Sequence, residues 1–175
     1  MDTTPRANQA DRPTPRRAFT LIEVLIVAVV LGILALVVIP GQGTHQRHVV
    51  ENAAKLLLAD LEYAQVLSIT DGSDPCVLVV GAGGDRYHIA RQSDPATPIP
   101  DPAGGRECLT IFGEGRANTL DGVSISATTG IVGGEVRYTS LGALLQGDDV
   151  TITLESTPEN FVVVVNASTG DPSVQ

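Results

Sequence analysis

The sequence is poor in aromatic and basic side chains. Its 175 residues include no Trp, three Phe and three Tyr, and 11 Lys and Arg stand against 20 Asp and Glu, for a formal net charge of −9. An acidic body repels phosphate backbones, and so few aromatic rings leave little surface on which bases or sugars could stack. The composition therefore argues against a nucleic-acid-binding protein and against a sugar-binding aromatic platform.

The sequence also lacks the common catalytic and metal-binding motifs. It has no Gly-x-Ser-x-Gly, no His-Glu-x-x-His and no EF-hand spacing of acids. His45 and His48 offer two imidazoles without a third ligand, and the glycine-rich residues 81–85 lack the Lys-Ser/Thr of a P-loop and are interpreted as a turn. We expect no enzymatic activity, no metal and no cofactor. Two acidic pairs carry oxygen ligands of the kind calcium takes, but they are interpreted as exposed turn residues: Asp71 with Asp74, and Asp148 with Asp149.

One segment is far more apolar than the rest of the chain. Residues 19–39 contain a single charged side chain, that of Glu23. A helix of this length spans about 32 Å, which is enough to cross the hydrocarbon region of a bilayer. Arg12, Arg16 and Arg17 shortly precede the segment, so the positive-inside rule places the N-terminus in the cytoplasm and the residues after Pro40 outside it. We therefore expect a single-pass membrane anchor with an extracytoplasmic body.

The segment differs from a conventional secretory signal, which has a shorter apolar run and a small-residue cleavage site. An uncleaved signal anchor is one alternative. Residues 16–40, however, read RRAFTLIEVLIVAVVLGILALVVIP, which closely resembles the class III leader and N-terminal helix of type IV pilins and type II secretion pseudopilins. The resemblance implies that a prepilin peptidase cleaves between Ala18 and Phe19, removes residues 1–18 and methylates the new amine of Phe19. It also implies insertion in the inner membrane, with the head in the periplasm.

Glu23 has a chemical role in this interpretation. A carboxylate in the middle of a membrane span costs about 2.5–3.5 kcal/mol and needs a partner. Cleavage would expose the Phe19 amine four residues upstream, on the same helical face. The resemblance implies that Glu23 pairs with the N-terminal amine of a neighbouring subunit during assembly. The alternative is an acid near a helix N-terminus that reaches back to the headgroups. Gly32 and Pro40 match the same family pattern, and Pro40 predicts a break in the helix.

After that break, the spacing of apolar residues predicts a second helix over residues 47–69. Its apolar stripe consists of Val50, Ala54, Leu57, Leu61, Ala64 and Leu67. Seven strands are predicted beyond it, over residues 76–80, 86–90, 107–112, 123–127, 135–139, 150–155 and 161–166. Residues 93–106, which hold four Pro and two Gly, are predicted to form an extended surface loop.

These elements predict an α+β fold in which a long N-terminal helix packs on an antiparallel, β-sandwich-like head. The first half of the helix is expected to be transmembrane, with the break near Pro40. The chain then divides into a leader (1–18), a transmembrane and assembly helix (19–39), an amphipathic second half of the helix (40–70) and an extracytoplasmic β head (71–175).

A second, weaker resemblance concerns the head. Residues 57–72 and the following strand resemble the passage from helix to sheet in H-type minor pseudopilins and the related FimT-like pilins, and residues 136–142 and 161–170 resemble the C-terminal half of that group. Two residues depart from the pattern: Gln65 stands where Arg is common, and Asp171 stands where the closing strand often carries a basic residue. Both changes argue against a role in DNA uptake.

Taken together, the resemblances imply a minor pseudopilin, a structural subunit of the pseudopilus of a type II secretion system. A minor type IV pilin acting in pilus assembly, adhesion or DNA uptake is the alternative. The implied partners are other pseudopilins or pilins, the prepilin peptidase, an inner-membrane assembly platform and, indirectly, the assembly ATPase, with no nucleic acid among them.

The two cysteines, Cys76 and Cys108, both begin predicted strands that would face an oxidising compartment. A disulfide between them would stabilise the head by about 3–4 kcal/mol in the chain-entropy model. Two unpaired, half-buried thiols are the alternative, and the sequence leaves both open.

Overall fold

The computed structural model describes residues 20–38, 42–101, 104, 106–131 and 133–175. It divides into two compact units, Met1–Pro40 and Gly41–Gln175. In the first unit, helix α1 spans Leu21–Val38, and in the second, helix α2 spans Gln42–Thr70 and is followed by the strands of the head. The helix break predicted near Pro40 lies outside the described residues.

The described part of the head contains nine strands in two antiparallel sheets. The strands are β1 Cys76–Val80, β2 Arg86–Arg91, β3 Asp94–Pro98, β4 Leu109–Ile111, β5 Ser124–Thr129, β6 Glu135–Arg137, β7 Val150–Ser156, β8 Glu159–Val165 and β9 Pro172–Val174. One sheet has the order β3-β2-β1-β6, with β4 also paired to β2, and the other has the order β5-β7-β8-β9. A short 3₁₀ helix, Gly115–Ala117, lies between β4 and β5.

Helix α2 packs against strands of both sheets, namely β1, β7, β8 and β9. Its buried face consists of small and branched side chains, all of them inaccessible to solvent: Val50, Ala53, Ala54, Leu57, Leu61 and Ala64. The stripe predicted from the sequence is thus the buried face, apart from Leu67, which is only half-buried. Burial of Leu57 and Leu61 stabilises this packing by about 1.5–3 kcal/mol for each side chain.

The sheets supply the other half of the core through alternate residues of their strands. In β7, Val150, Ile152 and Leu154 are fully buried, whereas the residues between them are half-buried. This alternation is the period expected of a strand with one face on a core. The α+β class, the packing of a helix on the sheets and the antiparallel pairing are therefore as the sequence predicted, with nine described strands where seven were expected.

Two strands, β3 and β9, were not predicted. Strand β3 lies within residues 93–106, which were expected to be a loop because of their prolines, and it contains Pro95 and Pro98. Strand β9 begins at Pro172. Both are the outermost strands of their sheets, where one row of backbone groups needs no partner strand, so proline is tolerated there.

Gly84 connects the two sheets. It lies in the turn between β1 and β2, where its N–H donates to the Gly81 carbonyl (2.9 Å), while its own carbonyl accepts the N–H of Ile125 in β5 (2.8 Å). Its φ is +69°, and a Cβ at this position would lie 2.3 Å from the Ile125 carbonyl oxygen. Only glycine meets both conditions. The glycine-rich residues 81–85 thus form a turn, as expected.

The structure holds Cys76 and Cys108 as two buried free thiols and does not form the disulfide that the sequence left as one alternative. Cys76 pairs with Arg91 across the β1–β2 ladder, whereas the Cys108 carbonyl accepts the N–H of Ile89 on the other edge of β2. The two cysteines therefore lie on opposite sides of β2, two inter-strand spacings of about 4.8 Å apart across the sheet. This separation exceeds the usual Cα–Cα distance of a disulfide.

Replacement of Gly84 by alanine is expected to destabilise the head by more than about 2 kcal/mol, because left-handed backbone strain adds to a clash with the Ile125 carbonyl. Gly133→Ala is the matched control, since Gly133 has the same φ of +69° and nothing lies within 4 Å of its Cβ position. Urea unfolding of both variants measures the difference. Equal destabilisation would show that the contact with Ile125 contributes nothing.

The two thiols are expected to react slowly with iodoacetamide in the folded protein. Burial raises the pKa of both thiols, to about 11 for Cys108, so little reactive thiolate is present near neutral pH. Mass spectrometry should count two alkylated cysteines after unfolding without reductant, and almost none before. An unreduced chain that takes up no label when unfolded would instead contain the disulfide.

Candidate functional site

Glu23 lies in the first turn of α1. Its backbone N–H donates to the carbonyl and, more weakly, to the hydroxyl of Thr20, at 3.1 and 3.4 Å. Thr20 and Glu23 have the Thr-x-x-Glu spacing of a capping box, a signal that the sequence analysis missed. Negative charge is also favoured at a helix N-terminus by the helix dipole. The local structure therefore places the acid at the start of the helix.

No cation is available to Glu23 from its own helix. Residues 18–44 contain no Lys, Arg or His, so Glu23 is the one ionisable side chain of this stretch. The apolar residues of α1 from Leu21 to Leu34 are exposed within the first unit. Gly32 lies on the same helix, and no heavy atom comes within 4 Å of the position that its Cβ would occupy. Three further predicted site residues, Ala18, Phe19 and Pro40, lie outside the described residues.

In the part of the chain that the structure describes, no helix meets the combined requirements of length and hydropathy for crossing a membrane.

The head contains a buried polar cluster that the sequence analysis did not predict. Asp60, on the buried face of α2, is only 6% exposed. It accepts hydrogen bonds from the Tyr87 hydroxyl of β2 (2.7 Å) and from the guanidinium of Arg116 in the 3₁₀ helix. Arg116 Nε also donates to the Thr110 hydroxyl of β4 at 3.0 Å. The cluster thus ties α2, the five-stranded sheet and the following loop to one carboxylate.

Burial raises the pKa of the Asp60 carboxyl, and the charge of Arg116 together with the hydrogen bonds from Tyr87 and Arg116 offsets part of that rise. Burial, followed by the nearby Asp60 charge, raises the pKa of the Tyr87 hydroxyl. Within this cluster, Asp60 and Arg116 form an ion pair. One feature of the sequence points to this cluster: Asp60 is a charged residue within the apolar stripe of α2.

Gln65 bridges two loops of the head. Its side-chain amide donates to the Gly142 carbonyl (3.1 Å) and to the Thr169 carbonyl (2.7 Å). The two loops approach each other so closely that a Cβ on Gly170 would overlap the Gly142 carbonyl oxygen. The residue that departs from the resemblance therefore has a structural role that needs two donor hydrogens and no charge.

The histidines and acidic pairs are engaged in local contacts. His48 lies 3.7 Å from Glu51, and the His88 ring bonds to the Pro95 carbonyl at 2.8 Å. Asp74 accepts two hydrogen bonds from Ser93, and Asp149 accepts the N–H of Ala167. Among the described residues, no three His, Cys, Asp or Glu side chains are grouped so as to hold a metal ion.

Comparison with known proteins bears on both units. Residues 14–39 match the family model described as the prokaryotic N-terminal methylation motif. This range includes Ala18, Phe19, Glu23 and Gly32. No curated protein sequence matches the chain.

The fold is similar to that of the type IV minor pilin FimU from Pseudomonas aeruginosa strain PAO1. The crystal structure in space group P65 aligns with a TM-score of 0.50 at 15% identity, covering 71% of this chain and 91% of FimU. The crystal structure in space group P21 aligns with a TM-score of 0.49 at 15% identity, covering 74% and 88%. At this identity, the first alignment supports the fold alone. The chain therefore joins a prokaryotic N-terminal methylation motif to a head with a type IV pilin-like fold.

Proposed function

We propose that this chain is a minor pseudopilin, a structural subunit of the pseudopilus of a type II secretion system, and that it is not an enzyme. The observation that carries the proposal is the match of residues 14–39 to the N-terminal methylation motif. This match spans the junction between an arginine-containing leader and an apolar helix, with Glu23 in the first turn of that helix. The pilin-like fold of the head is consistent with it.

Maturation in this proposal begins with a prepilin peptidase. The enzyme cleaves between Ala18 and Phe19 and methylates the amine of Phe19. Residues 19–39, which carry one charge in 21 residues, then anchor the chain in the inner membrane as a single span. The basic leader fixes a cytoplasmic N-terminus, and the acidic head lies in the periplasm.

Glu23 guides assembly through its charge. It has no cation on its own helix, and an uncompensated carboxylate in an apolar environment is costly. The methylated amine of Phe19 on a neighbouring subunit supplies the missing charge when the subunit enters the filament. Gly32 allows a neighbouring helix to approach closely, since it presents no side chain. Pro40 permits the helix to bend where it leaves the membrane.

A minor type IV pilin that acts in pilus assembly or adhesion is a second candidate. It is favoured by one specific observation, the likeness of the head fold to a minor pilin at a TM-score of 0.50. DNA uptake fits less well, because Gln65 and Asp171 supply no positive charge to the head.

The mature protein is expected to begin at N-methylated Phe19. Intact-mass and N-terminal analysis of the chain purified from cells with an active prepilin peptidase should show loss of residues 1–18 and one added methyl group. Cells without the peptidase should retain the precursor. Ala18→Gly should be processed at least as completely, because a small residue precedes the cleavage in both chains. A native chain that keeps Met1 in peptidase-positive cells would overturn the proposal.

Glu23→Val is expected to leave membrane insertion intact and to reduce incorporation into filaments by more than about tenfold. The neighbour's amine would be left unpaired, a loss of roughly 3–5 kcal/mol for a buried ion pair. Glu23→Asp keeps the charge and is the matched control. Membrane fractionation and cross-linking to other subunits measure the two effects. A decline in protein export would identify a pseudopilin, whereas a decline in surface piliation would identify a pilin. Normal assembly of Glu23→Val would exclude charge pairing.

A further inference from the structure

The end of α2 carries an exposed aliphatic patch, defined by Val66, Ile69 and Leu141. Their exposed fractions are 56%, 53% and 87%, and Leu141 is the most exposed large apolar side chain described in the head. Val66 and Ile69 are three residues apart on the side of α2 that faces away from the sheets. Aliphatic side chains grouped in this way mark interaction surfaces more often than scattered ones do.

The loop that follows β6 carries Leu141 beside the end of α2. A Cβ on Gly142 would lie 2.8 Å from Ile69 Cδ1, and one on Gly72 would lie 3.2 Å from the Ser140 side chain. Leu141 stands between these two contacts, so its backbone lies next to the last turn of α2 while its side chain is exposed. The exposed aliphatic side chains of the helix end and of the loop are therefore neighbours on this side of the head.

The loop is held in place rather than free to fold its leucine inward. The Gln65 amide donates to the Gly142 carbonyl, and the Gly142 N–H donates to the Thr139 carbonyl (3.0 Å). Gly142 has a φ of +83°, a conformation that favours glycine. Leu141 is thus presented to solvent by a fixed backbone.

The surroundings of the patch are negatively charged. Glu62 is exposed one helical turn before Val66. Asp171 is also exposed, and it follows Gly170, whose backbone lies against the Gly142 carbonyl of the loop after β6. The last turn of α2 contains no basic residue, so no side chain of the helix itself offsets the negative end of its dipole. The nearby Arg91 is engaged by Asp71 at 3.0 Å and by the Asp74 carbonyl at 2.8 Å.

We propose that the aliphatic patch is a docking surface for a protein segment that presents aliphatic side chains next to Lys or Arg, in a partner other than this chain. The aliphatic side chains would cover the patch, and the cations would face Glu62, Asp171 and the end of α2. A second copy fits poorly, since residues 1–18 carry four Arg and two Asp and leave a net charge of −11 on the remainder. An anionic membrane surface is repelled for the same reason.

This inference goes beyond the proposed function. It depends only on the head, and it applies whether the chain enters a filament or stays as an anchored monomer.

Photo-cross-linking in the producing cells tests the proposal with the full chain. Benzoylphenylalanine is placed at position 141, and the linked peptide is identified by mass spectrometry. The expected adduct is a peptide of another protein in which aliphatic residues adjoin Lys or Arg. Position 145 is the matched control, because Leu145 is also exposed (54%) but lies beside Glu135 and Arg137, outside the patch. It should give no such adduct.

Charge reversal completes the test. Glu62→Lys and Asp171→Lys should each lower the yield of the position-141 adduct by about tenfold, because like charges would face each other in the complex. Ile69→Ser should lower it as well, whereas Leu145→Ser should not. All four positions are exposed, and circular dichroism checks that the variants fold.

The proposal would be overturned by an adduct with a second copy, with lipid or with an acidic peptide. It would also be overturned by the absence of any adduct, or by a yield that charge reversal leaves unchanged. N-terminal analysis of the same samples measures processing separately from cross-linking. The proposed function and the docking proposal can therefore fail independently of each other.

Discussion

The head depends on one face of α2, because that face must bury the inner surfaces of two sheets. Three alanines and three larger aliphatic side chains form it, and all six are inaccessible to solvent. Small side chains allow the strands to approach the helix axis closely, while Leu57 and Leu61 fill the space beside them. Substitution on this face would affect both sheets at once, since α2 packs against β1 of one and β7 and β8 of the other.

Polar groups on the same face determine where the sheets attach. Ser68 accepts the backbone N–H of Cys76 at 2.8 Å and donates to the Ala64 carbonyl at 2.7 Å, which connects the end of α2 to β1. Asp60 connects the middle of the helix to Tyr87 and Arg116. An apolar face alone would allow the strands to slide along the helix, whereas these buried bonds are satisfied in one register only. Packing thus supplies most of the stability, and hydrogen bonds select the arrangement.

Much of this architecture was predictable from hydrophobic periodicity. Strands β1 and β7 have regular apolar patterns bounded by turn residues, and the stripe on α2 follows the helical period, so short-range rules were sufficient. Strands β3 and β9 were missed because their prolines are characteristic of loops unless the strand is known to be at an edge. Position in the sheet is a tertiary property and is not encoded in five residues.

The candidate site divides in the same way. Glu23 stood out because a lone acid in an apolar run is conspicuous in any sequence. Arg116 did not, since it lies 56 residues from Asp60 and only the folded chain shows their pairing. The cysteines were ambiguous for a related reason. Their spacing was compatible with a bridge, and only the order of the strands shows that β2 separates them.

Gln65 illustrates how one position can separate geometry from electrostatics. Its amide supplies the two hydrogens that hold the loops after β6 and β8 against the helix. A guanidinium could make similar bonds and would also neutralise the negative end of α2. Exchange between glutamine and arginine at position 65 would therefore change the electrostatic potential of the surface at the end of α2 while keeping the shape of that surface. Related heads could in this way acquire differently charged ligands without rebuilding the scaffold.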